Sequence, residues 1–168
     1  MSEPRELLAN DHEAVGELLQ QLLTALNNND VRESHAKLDL LWARLAVHIR
    51  AGHLHLFPAV AARVSEAETV IENLRADHDF FMRELAQAIG ILRTQSLASV
   101  LETVRRVEQR LTAHNEIEEQ QVYDWTRSVL TGSEQTALAA RINAELEKRP
   151  PRFSLETWAN RPSDHDDR

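Results

Sequence analysis

Shifted by 66 positions, the sequence lies over itself. Asp11-His12 falls on Asp77-His78, and His48 falls on His114. Leu8, Leu19, Leu23 and Leu26 fall on Leu74, Leu85, Ile89 and Leu92, Leu45 on Leu111, and Leu56-Phe57 on Val122-Tyr123. In each half the second histidine follows the first by 36 positions. Four of the eight histidines thus stand at paired, equivalent points of two similar halves, which chance placement rarely produces.

The apolar pattern of each half is helical. Leu7, Leu8, Val15, Leu18, Leu19, Leu22, Leu23 and Leu26 keep helical spacing from about Glu3 to Asn27, with Pro4 suited to a first turn. Asn27-Asn28-Asn29-Asp30 reads as a polar turn. A second helix is expected from Val31 to Arg63, loosened or kinked between Gly52 and Pro58 because Pro58 removes a donor. Ser65-Glu66-Ala67-Glu68 has the form of a capping box opening a third helix that continues to Arg93. After Thr94-Gln95-Ser96 a fourth helix spans Leu97 to Leu130, with Gly132 as a suitable C-cap. A short fifth helix from Glu134 to Lys148 precedes Pro150-Pro151.

Long amphipathic helices joined by short turns make antiparallel neighbours. The expected fold is therefore all-α, an up-down-up-down four-helix bundle with an internal repeat. Residues 1–148 form the bundle and its fifth helix, and 149–168 form a C-terminal tail, polar apart from Phe153, Leu155 and Trp158. Only four glycines and five prolines agree with this.

Composition narrows the function. Nineteen Lys and Arg against 27 Asp and Glu give a formal charge of −8, which repels phosphate backbones and anionic membranes, so neither nucleic acid nor membrane is an expected partner. The absence of cysteine excludes disulfides, iron–sulfur clusters and thiolate zinc sites. No apolar run approaches the roughly 20 residues of a membrane span and no basic start leads into a secretion signal, so a cytoplasmic location is expected.

The chemistry lies in the histidines. His114 and Glu118, four apart, share one helical face, and imidazole beside carboxylate is a transition-metal ligand pair. His12, His48, His78 and His114 each fall within the apolar stripe of a different helix, so they should meet in the bundle interior. Without a metal, their ring nitrogens would need many partners, each unmade bond costing about 1–3 kcal/mol.

The pattern resembles the hemerythrin-like HHE cation-binding domains, non-haem di-iron four-helix bundles. Their repeat is a histidine on one helix, then His-x-x-x-Glu and an aliphatic–aromatic–Pro motif on the next. His78, His114, Glu118 and Val122-Tyr123 match it, with Asp124 where proline is usual. His12, His48 and Leu56-Phe57-Pro58 match in the first half. The resemblance, covering about Leu7 to Trp125, implies iron ligation by His12, His48, His78, His114 and Glu118, with Glu118 bridging two ions.

Gly52 stands where the family has its other bridging glutamate, so a single ion becomes an alternative to two, and an empty space is expected beside the metals. His55, seven residues from His48 and about −20° around the helix, is a candidate replacement ligand. His53, about 140° from His48, points off the metal face of a regular helix and reads as a solvated residue. His35 and His165 read as surface or tail residues. Asp11 and Asp77 could hydrogen-bond ligand imidazoles, although surface ion pairs are the simpler expectation. With only neutral neighbours, a buried Glu118 carboxyl should have a raised pKa.

Such a protein is expected to bind small ligands such as dioxygen or nitric oxide, in oxygen or redox sensing or iron homeostasis. In oxygen carriers of the hemerythrin type, the third helix bears a second histidine four after the first. Met82 stands there, which disfavours simple carriage. The alternatives are an oxidase- or peroxidase-like di-iron enzyme and a degenerate bundle, with one metal or none, that binds a partner. A homodimer is compatible with either.

Overall fold

The computed structural model describes residues 2–94 and 96–148; the expected tail, with Trp158 and His165, lies outside them. Helix α1 runs Pro4–Asn27 and α2 Val31–Ala51, followed by a π-helical turn Gly52–Leu56 and a short α3, Phe57–Ala61. Helices α4 (Ala67–Thr94) and α5 (Leu97–Ile117) come next, then a second π-turn, Glu118–Val122, with α6 (Tyr123–Val129) and α7 (Gly132–Leu146).

Local chemistry sets most of these ends. Pro4 stands in the first turn of α1, where its missing N–H costs nothing. Asn29, at φ 56°, takes the left-handed conformation that asparagine tolerates, and the Asp30 side chain caps α2 by accepting from the Glu33 N–H. Ser96 caps α5 through the Ala98 N–H.

Two ends differ from expectation. Helix α4 begins at Ala67 rather than at a Ser65 box, and the Ser65 hydroxyl donates to Glu66 instead. Gly132 is no C-cap: it opens α7 behind a Thr131–Glu134 capping box.

Each of the four long helices packs against two others: α1 on α2, α2 on α4, α4 on α5, and α5 back on α1. Helix α7 covers α1, α2 and the first π-turn. Among the described residues the interior holds two apolar clusters, one with Leu22, Leu45, Phe81 and Leu85, the other with Leu8, Phe57, Val60 and Leu74. On α1 the order is Leu8, His12, Val15, and on α4 it is Leu74, His78, Phe81, so the histidines form a polar layer between the clusters. Each fully buried leucine contributes about 1.5–3 kcal/mol, and most lie away from that layer. No helix among the described residues is long and apolar enough to cross a membrane.

Candidate metal centre

The two π-turns occupy the same place in the two halves, Gly52 and Glu118 being 66 residues apart. In each, the backbone N–H five residues on, Phe57 or Tyr123, bonds the carbonyl of the first residue. A proline is therefore not required for such a turn, because Asp124 stands at the equivalent of Pro58 and the second turn forms regardless. The sequence pointed to one irregular turn, and the described residues contain two. Extra residues inserted into a helix at a functional layer are a common use of π-turns.

The four histidines and Glu118 converge, all buried. His12 Nε2 lies 3.2 Å from His48 Nε2 and 3.0 Å from Glu118 Oε2. His78 Nε2 lies 3.1 Å from His114 Nε2, and Glu118 Oε1 is 3.6 Å from His114 and 4.0 Å from His78. One carboxylate thus turns one oxygen to each histidine pair. His12, His48 and Glu118 form one group able to hold a cation, and His78, His114 and Glu118 form a second.

Every outward ring nitrogen is also held. His48 Nδ1 meets Asp11 Oδ2 at 2.7 Å and His114 Nδ1 meets Asp77 Oδ2 at 3.1 Å. Arg44 and Arg110 pair with these two aspartates, and they too are 66 residues apart. His12 Nδ1 meets Glu119 Oε1, and His78 Nδ1 meets His53 Nε2, each at 2.8 Å.

These outer partners fix the chemistry within. An ionised carboxylate only accepts, so the Nδ1 atoms of His12, His48 and His114 must carry their protons, leaving each Nε2 of an uncharged ring a lone pair. His12 and His48 then aim lone pairs at each other across 3.2 Å, beside a carboxylate oxygen. A cation resolves that conflict. Bonds of about 2.1 Å to one ion set nitrogens about 3.0 Å apart at right angles and about 3.4 Å apart at the tetrahedral angle. The donor spacing fits a metal ion.

Electrostatics prepares the same states. Burial pushes the Glu118 carboxyl up, but the His114, His12 and His48 rings facing it outweigh burial: a ring that gains a second proton donates it to Glu118, which holds the group well below the usual carboxylate range. This reverses the expectation of a raised value, which overlooked that the imidazoles bond the carboxylate directly. Burial, followed by the neighbouring His114, lowers His78 well below the ordinary histidine value. An ionised carboxylate and an uncharged imidazole are what metal binding requires. The Tyr123 phenol, fully buried, stays protonated, raised by burial and by Glu118, and donates to Glu118 Oε2 at 3.1 Å.

The family model described as hemerythrin HHE cation binding domain matches residues 3–126. The chain belongs to the hemerythrin HHE family. A solved structure of similar fold is a hemerythrin HHE cation binding domain-containing protein from Mycobacterium kansasii, a homologue of Rv2633c. It is 24% identical, with a TM-score of 0.71 over 88% of this chain and 86% of that one. No curated protein matches.

Around this HHE centre several residues sit differently from their sequence reading. His55 does not join the group: its Nε2 is 3.4 Å from Glu145 Oε2 on α7. His53 is no solvated residue, since it holds His78 and its ring also faces Phe57. Asp11 is buried rather than a surface partner, and it serves His48 on the neighbouring helix, not its sequence neighbour His12. The space expected beside Gly52 has an aromatic wall, because a Cβ there meets the Phe57 ring at 3.7 Å. His35 pairs with Asp39 on the exposed face of α2.

Sequence reasoning missed Glu119. Its signal was present in the repeat, where Glu119 and His53 are equivalent, but both point off a regular helix. The π-turns redirect them.

Proposed function

We propose that this protein is a non-haem iron protein, holding up to two ions between its histidine pairs. In this reading it binds dioxygen, nitric oxide or a similar small ligand, in oxygen or redox sensing or iron homeostasis. The facing lone pairs of His12 and His48, with Glu118 turned to both pairs, carry it. Imidazole and carboxylate without thiolate suit iron, and the family supports that choice.

Iron would supply a redox-active Lewis acid able to take a small ligand. The chain's own residues do the rest. Asp11, Asp77 and Glu119 fix the tautomer and orientation of His48, His114 and His12, and His53 holds the orientation of His78. Tyr123 keeps a proton on its phenol oxygen, directed at Glu118 Oε2 and 3.1 Å from His12 Nε2. Phe57, Phe81 and Met82, all fully buried or nearly so, keep bulk water from the layer. Met82, where carriers have a ligand histidine, favours sensing or scavenging over carriage. The Phe57 ring against Gly52 narrows the room an enzyme substrate would need.

Iron content and the optical spectrum of purified protein after air exposure, with and without azide, test this. Wild type should hold iron and change its spectrum with azide, and a His114→Ala/Glu118→Ala double variant should lose most of the metal. Equal content in both, or none in either after iron supplementation, would overturn the reading in favour of a degenerate bundle.

A further inference from the structure

The repeat is not kept in charge. Three positions of the first π-turn and the residue after it differ from their equivalents in the same sense: Gly52 stands for Glu118, His53 for Glu119, and Phe57 for Tyr123. The consequences fall on different histidine pairs, because each π-turn serves the pair carried by other helices. Glu119 holds His12 with a carboxylate, and the Tyr123 phenol lies beside the same ring. At the equivalent places His53 holds His78 with an imidazole nitrogen, and the Phe57 ring, stacked 5.9 Å from His78, offers no polar atom.

The bridging carboxylate leans the same way. Glu118 approaches His12 to 3.0 Å with Oε2, whereas Oε1 comes no nearer than 3.6 Å to the other pair. The aspartates agree as well: Asp11 is buried and 2.7 Å from His48, while Asp77 is partly exposed and 3.1 Å from His114.

From this geometry we infer that the two halves of the centre take up cations in order, His12–His48–Glu118 first and His78–His114 second, and that His53 is the positioning residue that keeps the second half weak. The inference rests on the centre being a cation site at all. A carboxylate accepting the Nδ1 proton polarises the imidazole and raises its basicity as a ligand; an imidazole nitrogen, carrying no negative charge, does so less. Loss or gain of such an outer partner changes metal affinity by about 10–100-fold. His53 also holds the His78 ring in place, so its removal should weaken that half further.

Charge repulsion from a first ion weakens any second step, so the order alone is not sufficient proof. The discriminating variant is His53→Glu, which restores the partner that the other half already has at the equivalent position. Anaerobic calorimetric titration of the full-length apo protein with ferrous iron reads both steps. Wild type should show two steps. His53→Glu should tighten the second by about 10-fold or more and leave the first unchanged, a gain that damaged folding cannot imitate. His53→Ala should weaken only the second, and His114→Ala should abolish the second while sparing the first. An unchanged second step in His53→Glu, or loss of the first step in His114→Ala, overturns the inference while leaving the cation site standing. No binding by wild type overturns the cation site itself, and the inference with it.

Discussion

Tyr123 and Glu118, five residues apart on one helix, meet side chain to side chain, the phenol donating to Glu118 Oε2 at 3.1 Å. On a regular α-helix they would point about 140° apart. The π-turn between them, closed by the Tyr123 N–H on the Glu118 carbonyl, brings them onto one face. The ligand keeps ordinary helical spacing from His114, and the donor is what the backbone irregularity brings to it.

Tyr123→Phe removes that hydrogen bond and little else, since Phe57 fills the equivalent place in the other half. A hydrogen bond to a charged group is worth about 1.5–3 kcal/mol. Urea unfolding of the apo protein should show a loss in that range, with iron content unchanged. A variant as stable as wild type would mean that the phenol gains nothing from Glu118.

Asp11→Asn should weaken iron binding by about 10–100-fold, because the buried carboxylate that polarises His48 is lost and Arg44 loses its counter-charge. Asp77→Asn should do the same more mildly, as its side chain is 17% exposed against 1% for Asp11. Competition with a chromophoric chelator measures both. Equal affinity in all three proteins would reduce the aspartates to ion-pair partners of the arginines.

The bundle and the residues that converge in it were legible because helical periodicity and a 66-residue repeat act over long stretches of sequence. Glu118 announced itself by its place one turn from His114. What lay hidden depends on pairing between helices. Asp11 reaches His48 across two helices, and no spacing within either helix encodes that contact. Glu119 and His53 were misjudged because a regular helix was assumed where the chain inserts a π-turn. His55 keeps nearly the angular position of His48, yet the same turn and the Glu145 carboxylate of α7 take it elsewhere.

Acid should destabilise the apo protein. His78 is lowered in the folded state, so below its ordinary value of about 6.5 the unfolded chain binds a proton that the fold refuses, and stability falls as pH drops. Glu118 is also lowered, so its stabilising contribution is full above about 4.3 and is lost as pH falls through its folded value. Iron needs the same uncharged imidazoles and should be released in the same window. Circular-dichroism melts with and without chelator at about pH 7.5 and 5.5 should show the iron form melting higher, with a gap that narrows in acid. An apo melting temperature that rises on acidification would contradict an uncharged, buried His78.

Restoring the missing carboxylate by Gly52→Glu separates the needs of the fold from those of the metal. The backbone at Gly52 is ordinary right-handed helix, φ −61° and ψ −53°, so a side chain adds no strain there. Its Cβ would meet the Phe57 ring at 3.7 Å, an ordinary contact, and replacing glycine inside a helix favours the fold by about 0.5–1 kcal/mol. Against that, the new carboxylate would stand at the repeat equivalent of Glu118, and two buried carboxylates on one set of imidazoles repel each other until one takes a proton. The apo variant should therefore melt below wild-type apo protein. With iron the sign reverses, because two carboxylates match the positive charge better than one, and the loaded variant should melt above loaded wild type. Azide, competing for the coordination space that the carboxylate takes, should bind more weakly. Unchanged melting temperatures in both states, with unchanged azide affinity, would show that residue 52 does not face the centre.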